Sequence, residues 1–211
     1  MPTPSTLLLF SAAVLGLLLS PGPNMAFLLS HSLSHGMRGG LAVAAGIFIA
    51  DLAMTALTAA GIAAMAAAWA PSFDILRYAG AVYLGWLAVH ALRRRGATEV
   101  DGSESAPSWT ILRSAAINSL LNPKTWLFFL VFLPQFVQPA RGDVTLQLLV
   151  LGAWLSVIAC AFHASLGVFS GGISGFVSGN AALARWTGGL QATVLLGLAV
   201  RLLFLDRPVP R

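Results

Sequence analysis

No Lys, Arg, Asp or Glu occurs in residues 1–37, and Asp51 is the only such residue between Arg38 and Asp74. A helix needs about 20 apolar residues to cross the hydrocarbon core of a bilayer, so each interval is long enough to span it. The whole chain agrees: of its 211 residues 57% are hydrophobic and only 9% charged, with mean hydropathy +0.83. Soluble domains carry about 25% charge. An all-α integral membrane protein is therefore expected, since a helix satisfies its own backbone where no water can. The first run is expected to remain as a span, because it lacks a basic leader region and ends in Pro-Gly-Pro instead of a small-residue cleavage site.

Two interruptions break the apolar pattern, at Ser20-Pro21-Gly22-Pro23-Asn24 and at Asn122-Pro123-Lys124. Each proline removes an amide donor and frees a carbonyl one turn back, those of Leu17, Leu19 and Ser119. Within a bilayer such backbone survives only where protein, a cavity or a ligand supplies partners. The chain reads as two halves built around these breaks.

Six spans follow from the apolar runs: residues 6–34, 40–69, 75–92, 110–137, 144–175 and 183–205, the first and fourth being the broken ones. The second, rich in Ala and Gly, is expected inside the bundle, since small residues let helix backbones approach. Residues 96–108 form the one polar linker, expected on the cytoplasmic side, between a first unit 1–95 and a second unit 109–211. A faint repeat relates the halves: Arg77-Tyr78-Ala79-Gly80 matches Arg185-Trp186-Thr187-Gly188, and Gly85 and Gly197 each precede a Leu-Ala-Val triplet. Three crossings per unit turn the second copy upside down, which gives six transmembrane helices as two inverted three-helix repeats, the first helix of each broken at proline. Counting arginines near span ends favours a cytoplasmic linker and both termini outside.

Three polar features share mid-membrane depth: the first break, Asp51 and the second break. A charge at the bilayer centre costs roughly 2.5–3.5 kcal/mol, so an intramembrane Asp or Lys faces a partner or a watery path. Asp51 is the foremost functional candidate. Lys124, the only lysine, follows a helix restart whose positive end disfavours a cation, so a carboxylate partner is expected unless the side chain snorkels to the headgroups. Asn24, Asn118 and Asn122 offer donors and acceptors beside the breaks. Helix-start amides suit a carboxylate, whereas freed carbonyls and Asp51 suit an ammonium, so Pro21, Gly22, Pro23, Asn24, Asp51, Asn118, Asn122, Pro123 and Lys124 together describe a site for a zwitterion. His163 is expected to be held by an ordinary hydrogen bond, and His31 and His35 to lie at the interface.

Other chemistries fit less well. The net charge of +5 comes from arginines at span ends, not from a basic stripe interleaved with aromatics, so nucleic acid is not an expected partner. Cys160 is the only cysteine, which leaves no pair for a thiol-disulfide electron conductor. Gly172-Ile173-Ser174-Gly175 matches the Gly-x-Ser-Gly of intramembrane serine proteases, yet no histidine follows it to act as base. No cofactor or metal is implied.

Taken together, Ser20 to Asn24, the turn Gly36-Met37-Arg38-Gly39-Gly40, Gly46 to Asp51, Gly61, Asn118 to Lys124, Phe128-Phe129 and Phe132-Leu133-Pro134-Gln135-Phe136 make the chain resemble the lysine exporter superfamily. The likeness is to its homoserine/threonine exporter type of LysE/RhtB translocator, and it covers nearly the whole chain. It implies a multi-pass protein of the bacterial cytoplasmic membrane with six helices in two inverted repeats, exporting amino acids in exchange for protons. Carried over, the family's Pro-Gly-Pro falls on Pro21, Gly22 and Pro23, its second-helix acid on Asp51, and its Asn-Pro-Lys on Asn122, Pro123 and Lys124. Family members often have Arg where this chain has His31.

The expected function is a secondary transporter, not an enzyme, that exports a neutral amino acid such as threonine, homoserine or a leucine-like one. Asp51 would take the coupling proton, and the partners are the amino acid, protons and the lipid bilayer. A homodimer is the candidate assembly. Basic amino acids or a heavy-metal cation are the alternatives within the superfamily; a neutral cargo is favoured because Asp51 is the only mid-span acid.

Overall fold

The computed structural model describes residues 1–19, 22–68 and 107–178, together with the single positions 78, 82, 85, 89, 193, 196, 197 and 200, which are all helical. Apart from those single positions, the third and sixth spans lie outside these residues, as do nearly all of the linker 96–108, most of the paired repeat motifs and Pro21. Among the described residues every regular element is helical: α1 Pro4–Leu18, α2 Pro23–Ala68, α3 Ser108–Leu120, α4 Pro123–Leu127 and α5 Val144–Ser178, with π and 3-10 turns over Phe128–Phe132, Leu133–Phe136 and Pro139–Arg141 between the last two. The expected all-α membrane protein is present in this coarse form. Pro23–Gly61 and Val144–Phe169 are each long and apolar enough to cross a bilayer, and Ser108–Leu120 with Lys124–Phe136 makes a third apolar run bent by 64° at its break.

Local chemistry sets the ends of these helices. Thr3 caps α1, its Oγ1 accepting from the Thr6 amide at 3.1 Å, and Pro4 occupies the first turn where a missing donor is harmless. Asn122 caps α4 in the same way, its Oδ1 accepting from the Lys124 amide at 3.0 Å with Pro123 next in line.

Within α2, Gly36 adopts φ 62° and ψ −157°, a non-helical break between two helical arms in a conformation that only glycine takes up readily. Eight residues of straight helix would separate His31 from Gly39 by about 12 Å. Instead, a Cβ on Gly39 would fall onto the His31 carbonyl. The chain therefore doubles back at Gly36, and the arms 23–35 and 37–68 lie side by side. The first arm rises about 20 Å, too little to cross alone. This is the hairpin expected around Gly36 to Gly40.

Glycines let the second arm sit in the middle of the bundle. A Cβ on Gly46 would strike the Leu112 carbonyl of α3, one on Gly40 would strike Gly167 of α5, and one on Gly152 would strike Thr55. Backbones thus meet directly, as small residues in membrane helices allow. On the far side, α1 is fastened to the aromatic turn: the Phe10 ring lies 5.4 Å from that of Phe132 and 5.0 Å from that of Phe136. Polar ties fix the same end, with Trp154 Nε1 donating to Ser11 Oγ at 2.9 Å and the Met1 ammonium to the Arg141 carbonyl at 2.8 Å. Exposed apolar side chains such as Leu8, Leu9, Leu57, Val157 and Phe169 face outward, as lipid requires.

Candidate functional site

The two breaks meet. Asn24, in the first turn after Pro23, donates from Nδ2 to Ser119 Oγ at 3.0 Å, while its Oδ1 accepts from Asn118 Nδ2 at 3.1 Å and from Asn122 Nδ2 at 3.2 Å. One asparagine of the first half is thus bonded to three residues that flank the second break. Every polar atom of its amide group is engaged, which fixes its rotamer.

Beside this cluster lies a cavity of about 80 Å³. At about 10–15 Å³ per water-sized group, it has room for roughly five to eight such groups, the scale of a small organic zwitterion. Of the residues expected to form a site, Gly22, Asn24, Asp51, Asn122 and Lys124 line it. Asn118 stands behind Asn24 and orients it without reaching the cavity. Pro23 and Pro123 open the helices that carry the lining residues.

Asp51 comes from the middle of the second arm and is 3% exposed. Among the described residues no side chain forms an ion pair or hydrogen bond with its carboxyl. Lys124 lines the cavity as well. Its ammonium lies over Gly22, where an added Cβ would come within 3.2 Å of Nζ. The side chain thus turns toward the first break. Apart from these groups the wall is largely apolar, with Val14, Leu17, Ile47, Phe129 and Leu155 among its members.

Sequence reasoning expected the Ser119 carbonyl to stand open for a cation. It does not: the Asn122 amide takes it at 3.2 Å, and Trp126 Nε1 takes the neighbouring Leu120 carbonyl at 2.6 Å. A 3-10 bond and an indole supply what the proline removed, so polar recognition at the second break falls to side chains.

His163 joins these groups at the cavity wall, one turn after the Ala159 carbonyl that its ring faces. It is 5% exposed, lines the cavity, and its Nδ1 finds no hydrogen-bond partner among the described residues. The signal was present as Leu155, Ala159 and His163, three cavity residues at four-residue spacing on one face of α5. His31 is 9% exposed and packed between Phe27 and His35.

Residues 15–205 match the family model of the LysE type translocator. A leucine efflux protein of Enterobacter sp. (strain 638) is 34% identical over 191 residues, covering 88% of this chain and 89% of that protein. A leucine efflux protein of Klebsiella pneumoniae is 32% identical over 189 residues with the same coverage, and one of Salmonella typhimurium is 30% identical over 192. No solved structure matches.

Proposed function

The chain belongs to the LysE type translocator family, and from that premise we propose that it exports a neutral, apolar amino acid across the bacterial inner membrane in exchange for protons. As a multi-pass membrane translocator it is a transporter and not an enzyme. The observation that carries the reading is one acid and one base, Asp51 and Lys124, facing a single cavity between two broken helices.

A zwitterion fits this placement. Its carboxylate would meet the Lys124 ammonium and the Asn122 amide, and its ammonium the Asp51 carboxyl. In a low-dielectric cavity such charges attract more strongly than in water, which offsets the cost of removing the zwitterion from solvent. Because Asp51 is, among the described residues, the one acid lining the cavity, a second cationic group on the cargo would lack a partner. The apolar wall favours a leucine-like side chain, and the relatives named leucine efflux proteins support the same cargo.

Proton coupling would follow from competition at Asp51. A carboxylate holds the cargo's ammonium; a protonated carboxyl does not. Loaded from the outside, the proton releases cargo there, and its loss to the cytoplasm readies the site for the next molecule. The Gly36 end, which carries Arg38 and Arg113, would be the cytoplasmic one, and alternating exposure would come from rocking of the halves about the breaks.

Cells fed dipeptides of leucine, threonine or lysine test the reading. Leucine should accumulate outside only when the protein is expressed, and Asp51→Asn should abolish its dependence on the proton gradient while the protein still inserts. Export of lysine but not leucine would overturn the neutral cargo, and an unaltered Asp51→Asn protein would overturn the coupling.

A further inference from the structure

Helix register orders the histidines relative to Asp51. The second arm of α2 runs antiparallel to α5, and the Gly40–Gly167 and Thr55–Gly152 contacts share one register. That register sets Asp51 level with Ser156 and His163 level with Ala44, about 10 Å nearer the Gly36 end. The folded-back first arm brings His31 beside Gly39 and presses Ser32 Oγ toward Gly40, where Gly167 also meets it. His31 thus lies about one and a half turns beyond His163 along the bundle axis. Its ring is 5.5 Å from that of His35, in the last turn before the reversal.

The same stretch holds polar atoms that the protein does not satisfy. His31 Nδ1, Ser32 Oγ and His163 Nδ1 are sealed from solvent without hydrogen-bond partners among the described residues. Each such atom costs about 1–3 kcal/mol if nothing meets it. Three of them between Asp51 and one face call for ordered water, the usual partner of buried polar groups in an otherwise filled interior. Thr58 Oγ1 is also unmet, but it lies on the other side of Asp51 and cannot titrate.

We propose that His163, His31 and His35, joined by water, form a proton path between Asp51 and the Gly36 face; the inference rests on the proton coupling proposed for Asp51. A proton leaving the Asp51 carboxyl passes through water to a ring nitrogen of His163. That ring gives up a proton from its other nitrogen, and His31 and His35 repeat the exchange until one proton enters the solvent at the Gly36 end. One proton moves per passage, and each ring returns to its neutral form. Among the described residues, the other titratable or charged groups along the route are Lys124 on the cavity wall, Cys160 on α5, and Arg38 and Arg113 toward the Gly36 face; α1 and Leu133–Phe136 contribute none.

The path is needed for net transport but not for exchange of one cargo molecule for another, and this separates it from a structural role. Reconstituted in liposomes with radiolabelled L-leucine, His31→Gln should lose ΔpH-driven net flux by an order of magnitude while leucine–leucine exchange stays within about twofold of wild type. His163→Gln should lose net flux as well. In His31→Ala, millimolar imidazole should restore net flux by replacing the missing ring. Wild-type net flux in both glutamine variants, equal loss of exchange and net flux in His31→Gln, or no imidazole rescue would overturn the path. A wild-type protein inert toward leucine in both assays would overturn the cargo reading and the path with it, whereas normal wild-type flux with unaffected variants would overturn the path alone.

Discussion

The break before Pro23 reaches outward, whereas the break before Pro123 closes on itself. At the second, Asn122 caps the helix it begins, its own amide takes the Ser119 carbonyl, and the Trp126 indole takes that of Leu120. At the first, the asparagine in the equivalent neighbourhood does no capping. Asn24 spends its amide on Ser119, Asn118 and Asn122, residues 94 to 98 positions away. Similar sequence, Pro followed or preceded by Asn, thus serves two purposes. One break keeps itself intact, and the other ties the halves together beside the cavity.

That contrast predicts a ranking of stabilities. Asn24→Leu should do the most damage, since it removes three interhelical bonds; at about 0.6–2 kcal/mol each in a membrane, the loss should be roughly 2–6 kcal/mol by thermal unfolding in nanodiscs. Asn122→Ala removes one of those bonds and a cap worth about 1 kcal/mol, for a total near 2 kcal/mol. If Asn122→Ala proves the more damaging, the second break is the tie and the comparison is inverted. Trp126→Phe should cost about 1 kcal/mol by leaving the Leu120 carbonyl unmet. Gly22→Ala should be the mildest, within about 0.5 kcal/mol. Its new Cβ would still press on the Lys124 ammonium 3.2 Å away, so leucine binding by calorimetry should weaken while stability holds. An Ala variant with unchanged binding would detach Lys124 from cargo recognition.

Much of this site was legible in the residues themselves. Charge-free runs, two proline breaks and a lone Asp51 at the same depth follow from the cost of polar groups in hydrocarbon, and that cost does not depend on tertiary detail. The Gly36 turn was legible for the same reason, being a polar, glycine-rich cluster between apolar runs. What was hidden depends on pairing across the fold. Nothing local tells Asn24 that Asn118, Ser119 and Asn122 will surround it, and nothing near Ser119 announces that the Trp126 indole will cover the next carbonyl. Nothing near His31 announces that the reversal at Gly36 buries it against the second arm. The register of α5 was equally out of reach, since Gly152 and Gly167 declare close approach but not to which partner.

The central claim is that the breaks bound a watery cavity that the cargo occupies. It is tested most directly by placing a cysteine at Thr125, a cavity residue, in a Cys160→Ser background and timing its reaction with a small charged methanethiosulfonate. The account predicts that the thiol reacts, and that L-leucine at ten times its dissociation constant slows the reaction about tenfold. A thiol that never reacts, or one that reacts at the same rate with leucine present, would contradict it.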